Sequence, residues 1–251
     1  MSSFSIGSLA RRPEMGSVLS LVAVIAFYVV FGGVDLAQLL GAASWVNLAA
    51  NLGIVALPVG LLMIAGEIDI SIGAMIPAGS MTVAILSGYY GLPITVGILG
   101  ALALGLIVGL VNGLIATRTT VPTLIITLGT LMAVQGIILS SAMLLTGNAS
   151  VSLTPPDWAK TAFGLMIAGK YQVVIYWWVL FTAMFFYVLH VSPIGNWIFA
   201  MGGDQVSARN AGIPTNRLKI ALFMLSSTAA AFVGICGAIQ FNSAQVSGGM
   251  G

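Results

Sequence analysis

Glu67 and Asp69 are acidic side chains set within apolar sequence, and of all the residues here they are the best placed to do chemistry. Ionisable groups at membrane depth are costly and usually functional: they line a path, gate it, or take up a coupling ion. At positions i and i+2 the two do not share a helix face. Pro58, Gly66, Gly73 and Pro77 flank them, so a broken helix is expected. Asp69 or Ser71 would then cap the following helix by accepting bonds from its free backbone N–H groups. Capping at the membrane edge, a place in the permeation path or gate, and proton coupling are the three roles open to the pair. The third lacks a basic partner close in sequence. Asn51, Asn112 and Gln135 are uncharged polar residues within apolar segments. Such groups bond across helices or line a route for a hydroxyl-rich solute.

Other chemistry is sparse. His190 and Cys236 are the single histidine and the single cysteine, which supports neither a disulfide framework nor a metal site. A phosphate-binding loop needs Gly-Lys followed by Ser or Thr. Of Lys160, Lys170 and Lys219, only Lys170 follows a glycine, and Tyr171 comes next. No nucleotide site, cofactor or catalytic constellation is expected, and the chain reads as a non-catalytic one.

The elements that must position these residues follow from composition. Charged residues are 6% of the chain and apolar residues 59%, whereas a soluble domain carries about 25% charged residues. The surface must therefore face a lipid bilayer. A net charge of +2, scattered along the chain, argues against a nucleic-acid partner. Helices crossing the bilayer need about 20 apolar residues, and candidates lie at 17–34, 45–65, 70–88, 93–116, 121–145, 172–191 and 218–240. The expected fold is all-α and polytopic, with about seven transmembrane helices in a single domain over 1–251. Arg11 and Arg12 before the first apolar run resemble a signal peptide, but Gly32-Gly33-Val34-Asp35 is a poor cleavage site, so this run reads as a first span.

Basic residues settle whether Gly66–Asp69 separates two spans. Two spans place Arg11, Arg12, Arg118, Arg209, Arg217 and Lys219 on one side, with only Lys160 and Lys170 opposite. One span divides the basic residues evenly. The two-span arrangement puts the N-terminus and the 192–217 loop in the cytoplasm and 146–171 outside.

Gly97, Ala101, Gly105, Gly109 and Gly113 recur every four residues, leaving one helix face almost bare so that a neighbouring backbone can approach. A tight seam is expected there, or else a smooth sliding surface. Ala230, Gly234 and Ala238 are a weaker version. Tyr171, Tyr176, Trp177 and Trp178 open the sixth span, where an interfacial aromatic belt is expected ahead of a sugar-stacking platform.

The stretch from His190 to Lys219 is punctuated. Ser192-Pro193 closes one helix, and Ile194, Trp197, Ile198 and Met201 stripe a short one that Gly202-Gly203 ends. Asp204 fits the N-cap of a second short helix over 205–211. Gly212 fits its left-handed C-terminal position, and Pro214 blocks continuation. The pattern alone fits either a docking surface or an interfacial helix pair.

Three blocks carry a family resemblance. Gly66-Glu67-Ile68-Asp69-Ile70-Ser71-Ile72-Gly73 resembles the GEIDLSVG segment of ribose-type ATP-binding-cassette (ABC) importer permeases. Val111-Asn112-Gly113-Leu114-Ile115, with the run from Val121 to Thr130, is similar to that family's next block. Ala200-Met201-Gly202-Gly203-Asp204, then Ala208-Arg209 and Ala211-Gly212-Ile213, is similar to its cytoplasmic coupling loop. The resemblance implies a permease subunit in the bacterial inner membrane that passes a monosaccharide or polyol. It implies three partners: a cytoplasmic ATPase held at 192–217, a second permease copy or homologue, and a periplasmic sugar-binding protein. Members of the family usually run longer, so a chain stopping at Ser247-Gly248-Gly249-Met250-Gly251 reads as C-terminally truncated. An ion-coupled secondary transporter using Glu67 and Asp69 is the alternative from another class.

Overall fold

The computed structural model of the chain describes residues 14–31 and 39–247. Arg11, Arg12, the Gly32–Asp35 stretch and the terminal Gly248–Gly251 lie outside the described residues. Nine helices of six residues or more are described: α1 (Glu14–Phe31), α2 (Leu39–Ile64), α3 (Ile72–Val83), α4 (Ile94–Arg118), α5 (Thr123–Thr146), α6 (Val174–His190), α7 (Pro193–Gly203), α8 (Gln205–Asn210) and α9 (Thr215–Phe241). A wide helical turn, Ala84–Tyr89, continues α3. Each expected span overlaps one of these helices, the first over 17–31 only because 32–34 lie outside the described residues. Five to six of them, against about seven expected, qualify as spans among the described residues. Gly41–Ile64, Ile72–Tyr89, Ile94–Arg118, Thr123–Thr146 and Thr215–Phe241 are each long and apolar enough to cross a membrane. α6 and α7 qualify together as a sixth span, bent by 70°. The chain divides into two units, residues 1–46 and 47–251; α1 belongs to the first, and everything described below belongs to the second.

α9 is the hub of the second unit because small residues let two helices reach its backbone. A side-chain carbon on Gly105 would fall 2.8 Å from the Cα of Thr228, and one on Gly113 would fall 2.7 Å from the Cα of Ile220. Between them, Gly109 lies against the backbone of Phe223 and Met224. Ala101 in the same row is fully buried. Gly97 leaves the seam and meets Val83 and Ser87 instead. On another face of α9, Gly234 abuts the Ile76 carbonyl, and α3 contributes Gly79, facing the backbone of Ala231. In lipid no hydrophobic force draws apolar helices together, so van der Waals contact at backbone distance holds such a seam.

Two short antiparallel ribbons complete the side opposite the break. β1 (Ser150–Ser152) pairs with β4 (Ser243–Gln245), Val151 opposite Ala244. β2 (Met166–Ile167) and β3 (Tyr171–Gln172) form a hairpin whose central Ala168 and Gly169 both have positive φ, 51° and 68°. Positive φ at both positions marks a primed turn, closed by the Lys170 N–H donating to the Ile167 carbonyl at 3.1 Å, with Lys170 the third residue of the loop.

Within the aromatic cluster that opens α6, Trp177 packs against protein. Its indole N–H donates to the Ala162 carbonyl at 2.8 Å, and its ring stacks on Phe163 and meets Phe181 and Phe232 edge-on or tilted. Tyr176, by contrast, is exposed. α6 is apolar on every side, so its sequence does not reveal which side faces protein.

Candidate functional site

The break between α2 and α3 begins with a Schellman stop. Gly66 adopts φ +86°; its N–H donates to the Met63 carbonyl and the Glu67 N–H to the Leu62 carbonyl, each at 3.0 Å. Only glycine takes this left-handed position at little cost. Beyond it the backbone leaves the helix, and its freed donors need new partners. α5 supplies two. The Ile68 N–H donates to the Thr123 hydroxyl at 3.3 Å and the Ile70 N–H to the Thr127 hydroxyl at 3.2 Å.

Asp69 then anchors the start of α3. Its Oδ1 accepts the Ser71 N–H at 3.0 Å and the Ser71 hydroxyl at 2.5 Å. Its Oδ2 accepts the Ser226 hydroxyl of α9 at 2.9 Å. The chain of bonds continues outward: the Asn112 amide donates to Ser71 Oγ at 3.0 Å, and the Thr130 hydroxyl donates to Asn112 Oδ1 at 2.6 Å. Asp69, Ser71, Asn112 and Ser226 are all buried. One carboxylate and four neutral side chains thus join α3, α4, α5 and α9, and each of these five makes a hydrogen bond, the condition under which a buried polar network rigidifies rather than destabilises.

Glu67 takes a different partner. Its carboxylate forms an ion pair with the Lys219 ammonium, near the start of α9. The side chains are 12% and 8% exposed, so each charge is largely removed from water and depends on the other.

The 192–217 segment holds α7 and α8. Ser192 precedes α7 and Pro193 opens it, where a missing N–H costs nothing. Ile198 and Met201 are buried while Ile194, Trp197 and Phe199 are exposed, so the apolar stripe is only half covered. Gly202 lies directly against the Ile64 carbonyl at the end of α2; Gly203 has open space around it. Asp204 caps α8, its side chain accepting the Ser207 N–H at 2.5 Å. That backbone bond holds the Asp204 carboxyl below its ordinary value. Ala208 is buried and Ala211 exposed. Gly212, at φ +85°, repeats the Schellman stop: its N–H donates to the Arg209 carbonyl and the Ile213 N–H to the Ala208 carbonyl. The Arg209 guanidinium donates to Asn216 Oδ1 at 3.0 Å and to the Thr215 hydroxyl at 3.4 Å, fixing α8 to the start of α9.

The residues singled out from sequence therefore separate into groups. Glu67, Asp69 and Asn112 meet at the break, and Gly202 touches its leading edge. Asn51 does not join them; it lies about 20 Å along α2 from Ile64. There its amide donates to Gln172 Oε1 at 2.9 Å, beside Asn47, whose amide donates to the Lys170 carbonyl and whose Oδ1 accepts the Gln172 N–H. Those bonds dock the β2–β3 hairpin. Gln135 is half-buried midway along α5. A groove of about 380 Å³ between α2 and α6, lined by apolar side chains with Thr182 and His190, includes none of the polar network. No group of three or more His, Cys, Asp or Glu placed to hold a metal ion occurs among the described residues. Sequence reasoning missed Lys219, Ser226, Thr127 and Thr130. Thr123, Thr127 and Thr130 share one face of α5 at i, i+4 and i+7, a pattern that could have been recognised.

Known proteins bear on this arrangement. The family described as the branched-chain amino acid transport system / permease component matches residues 41–251. The chain belongs to that family. Among similar curated permeases is the xylose/arabinose import permease protein XylH of Sulfolobus acidocaldarius, 33% identical over 74% of this chain and 51% of the relative. The autoinducer 2 import system permease protein LsrD of an Enterobacter species is 31% identical over 77% of this chain and 59% of the relative. The fructose import permease protein FrcC of Rhizobium meliloti is 29% identical over 92% of this chain and 64% of the relative. The chain thus spans between about half and two thirds of the length of these permeases. No solved structure matches it.

Proposed function

We propose that this chain serves as the transmembrane permease subunit of an ABC importer, passing a monosaccharide or related polyol across the bacterial inner membrane. On this reading it forms one multi-pass permease domain with its N-terminus in the cytoplasm. It works with a second permease copy or homologue, a periplasmic sugar-binding protein and a cytoplasmic ATPase. The observation that carries the proposal is the family match over 41–251, together with relatives whose names specify sugars. The family's own description mentions branched-chain amino acids; the named relatives favour sugars.

Geometry supports the placement of the ATPase contact. α7 and α8 present Ile194, Trp197, Phe199 and Val206 as exposed apolar side chains, and α8 is closed by the Asp204 cap and the Gly212 stop. ATP-driven approach of two ATPase subunits would displace this pair, and the contact of Gly202 with Ile64 passes the displacement to α2. An ion-coupled carrier needs a carboxylate free to take up and release its ion. Glu67 is paired with Lys219, and both oxygens of Asp69 accept hydrogen bonds, which weighs toward the importer.

The test is purification of the tagged full-length protein from its native locus in mild detergent, with mass spectrometry of what accompanies it. An ATPase subunit is expected, and Gly212→Trp is expected to release it, because a bulky residue at φ +85° distorts the turn. Recovery of the permease alone, with uptake that collapses on uncoupling while ATP is maintained, would overturn the reading.

A further inference from the structure

We propose that the Glu67–Lys219 ion pair is the positioning link that carries movement of the 192–217 segment into the break between α2 and α3. This rests on the importer reading above. The segment, with the first turns of α9 that follow it, touches the break at two points. At its leading side Gly202 abuts the Ile64 carbonyl; at its trailing side Lys219 holds Glu67. Between those points Arg209 ties α8 to Thr215 and Asn216, so α8 and the first turns of α9 move together. Lys219 sits in those turns.

Glu67 is well placed to receive that movement. It follows Gly66, the left-handed hinge residue, around which there is open space. Two residues later the chain is fixed, because Asp69 and Ser71 are bonded to α9 and α4 deep in the bundle. The ion pair therefore ties the residue just after the Gly66 stop to the end of α9 at which α8 is fixed. It is the one ion pair found among the described residues. Its burial means that neither charge is content alone, so displacing Lys219 draws Glu67 with it.

The experiment uses the complete complex, with Cys236→Ala and an environment-sensitive fluorophore on Ile68→Cys, an exposed position beside Glu67. A non-hydrolysable ATP analogue is added, and the change in fluorescence is read against ATPase co-purification and Tm. Glu67→Gln and Lys219→Met are each expected to cut the nucleotide-dependent change about tenfold while the ATPase stays bound. The charge-exchanged double variant, Glu67→Lys with Lys219→Glu, is expected to restore it to within about threefold. A change that survives either single variant, falls only in step with Tm, is absent from the parent complex or is not recovered on exchange would overturn the link. Absence of any ATPase from the parent complex would overturn the importer reading itself, which the first measurement reveals separately.

Discussion

Two helix ends in this molecule are built alike and used differently. α2 stops at Gly66 and α8 stops at Gly212, with φ of +86° and +85° and the same pair of Schellman bonds. After Gly66 the chain enters a buried network that engages α4, α5 and α9. After Gly212 it passes through Pro214 into a new helix, and the neighbouring cap, Asp204, stands at the surface. Identical stops thus serve a fixed anchor in one place and an exposed joint in the other. What distinguishes them is the set of partners that follows the glycine.

Removing those partners should separate the two sites most. Asp69→Ala strips the acceptor from Ser71 and Ser226 and should cost about 3 kcal/mol, the scale of losing several bonds to a buried charge. Asp204→Ala, at an exposed cap, should lower Tm far less. Thermal unfolding of the two purified variants checks this; equal losses would erase the distinction.

A second, smaller effect isolates a single bond at the anchor. Thr127→Val leaves the Ile70 N–H without its 3.2 Å acceptor and should cost about 1–2 kcal/mol. Amide hydrogen exchange at Ile70 should quicken while exchange in α8 is unchanged.

The glycines themselves should behave alike. A side-chain carbon at Gly66 or Gly212 meets nothing within 4 Å, so alanine pays only for the left-handed backbone, about 1–2 kcal/mol at either position. Matching Tm shifts for Gly66→Ala and Gly212→Ala would show that the stops are equivalent and that their surroundings alone differ.

Acidification should produce the smallest change at the exposed joint. The folded-state pKa of Asp204 lies below its ordinary value of 3.8. Its contribution is therefore complete above that value and is lost as pH falls through the lowered folded pKa. Helicity in α8, followed by hydrogen exchange, should weaken below about pH 4 in the parent protein and show no such dependence in Asp204→Asn.

The exposed joint was legible residue by residue, because caps and stops are local. Asp204, Gly212 and Pro214 announce themselves within a few positions of the bonds they make. So does the Gly66 break. The glycine row on α4 announced a close approach, and its period named the face, but nothing in it named α9. The anchor was legible only in half. Asp69 was visible as a capping acid, while its second partner, Ser226, lies 157 residues away. Lys219 was legible only as a positive charge on the side expected to be cytoplasmic, since pairing with Glu67 depends on how two distant helices meet. The packing of Trp177 was not legible, because the lipid-facing and protein-facing sides of an apolar helix are chemically alike.

The pairing of β1 with β4 has a consequence for how the protein is made. Val151 waits for Ala244, and between them the ribosome must deliver the β2–β3 hairpin, α6, α7, α8 and the whole of α9. Until α9 arrives, the glycine face of α4 and the small residues of α3 have no backbone to receive, and Asp69 has no Ser226. Close packing at these faces, and closure of the Asp69 network, are therefore expected to wait for α9 during synthesis.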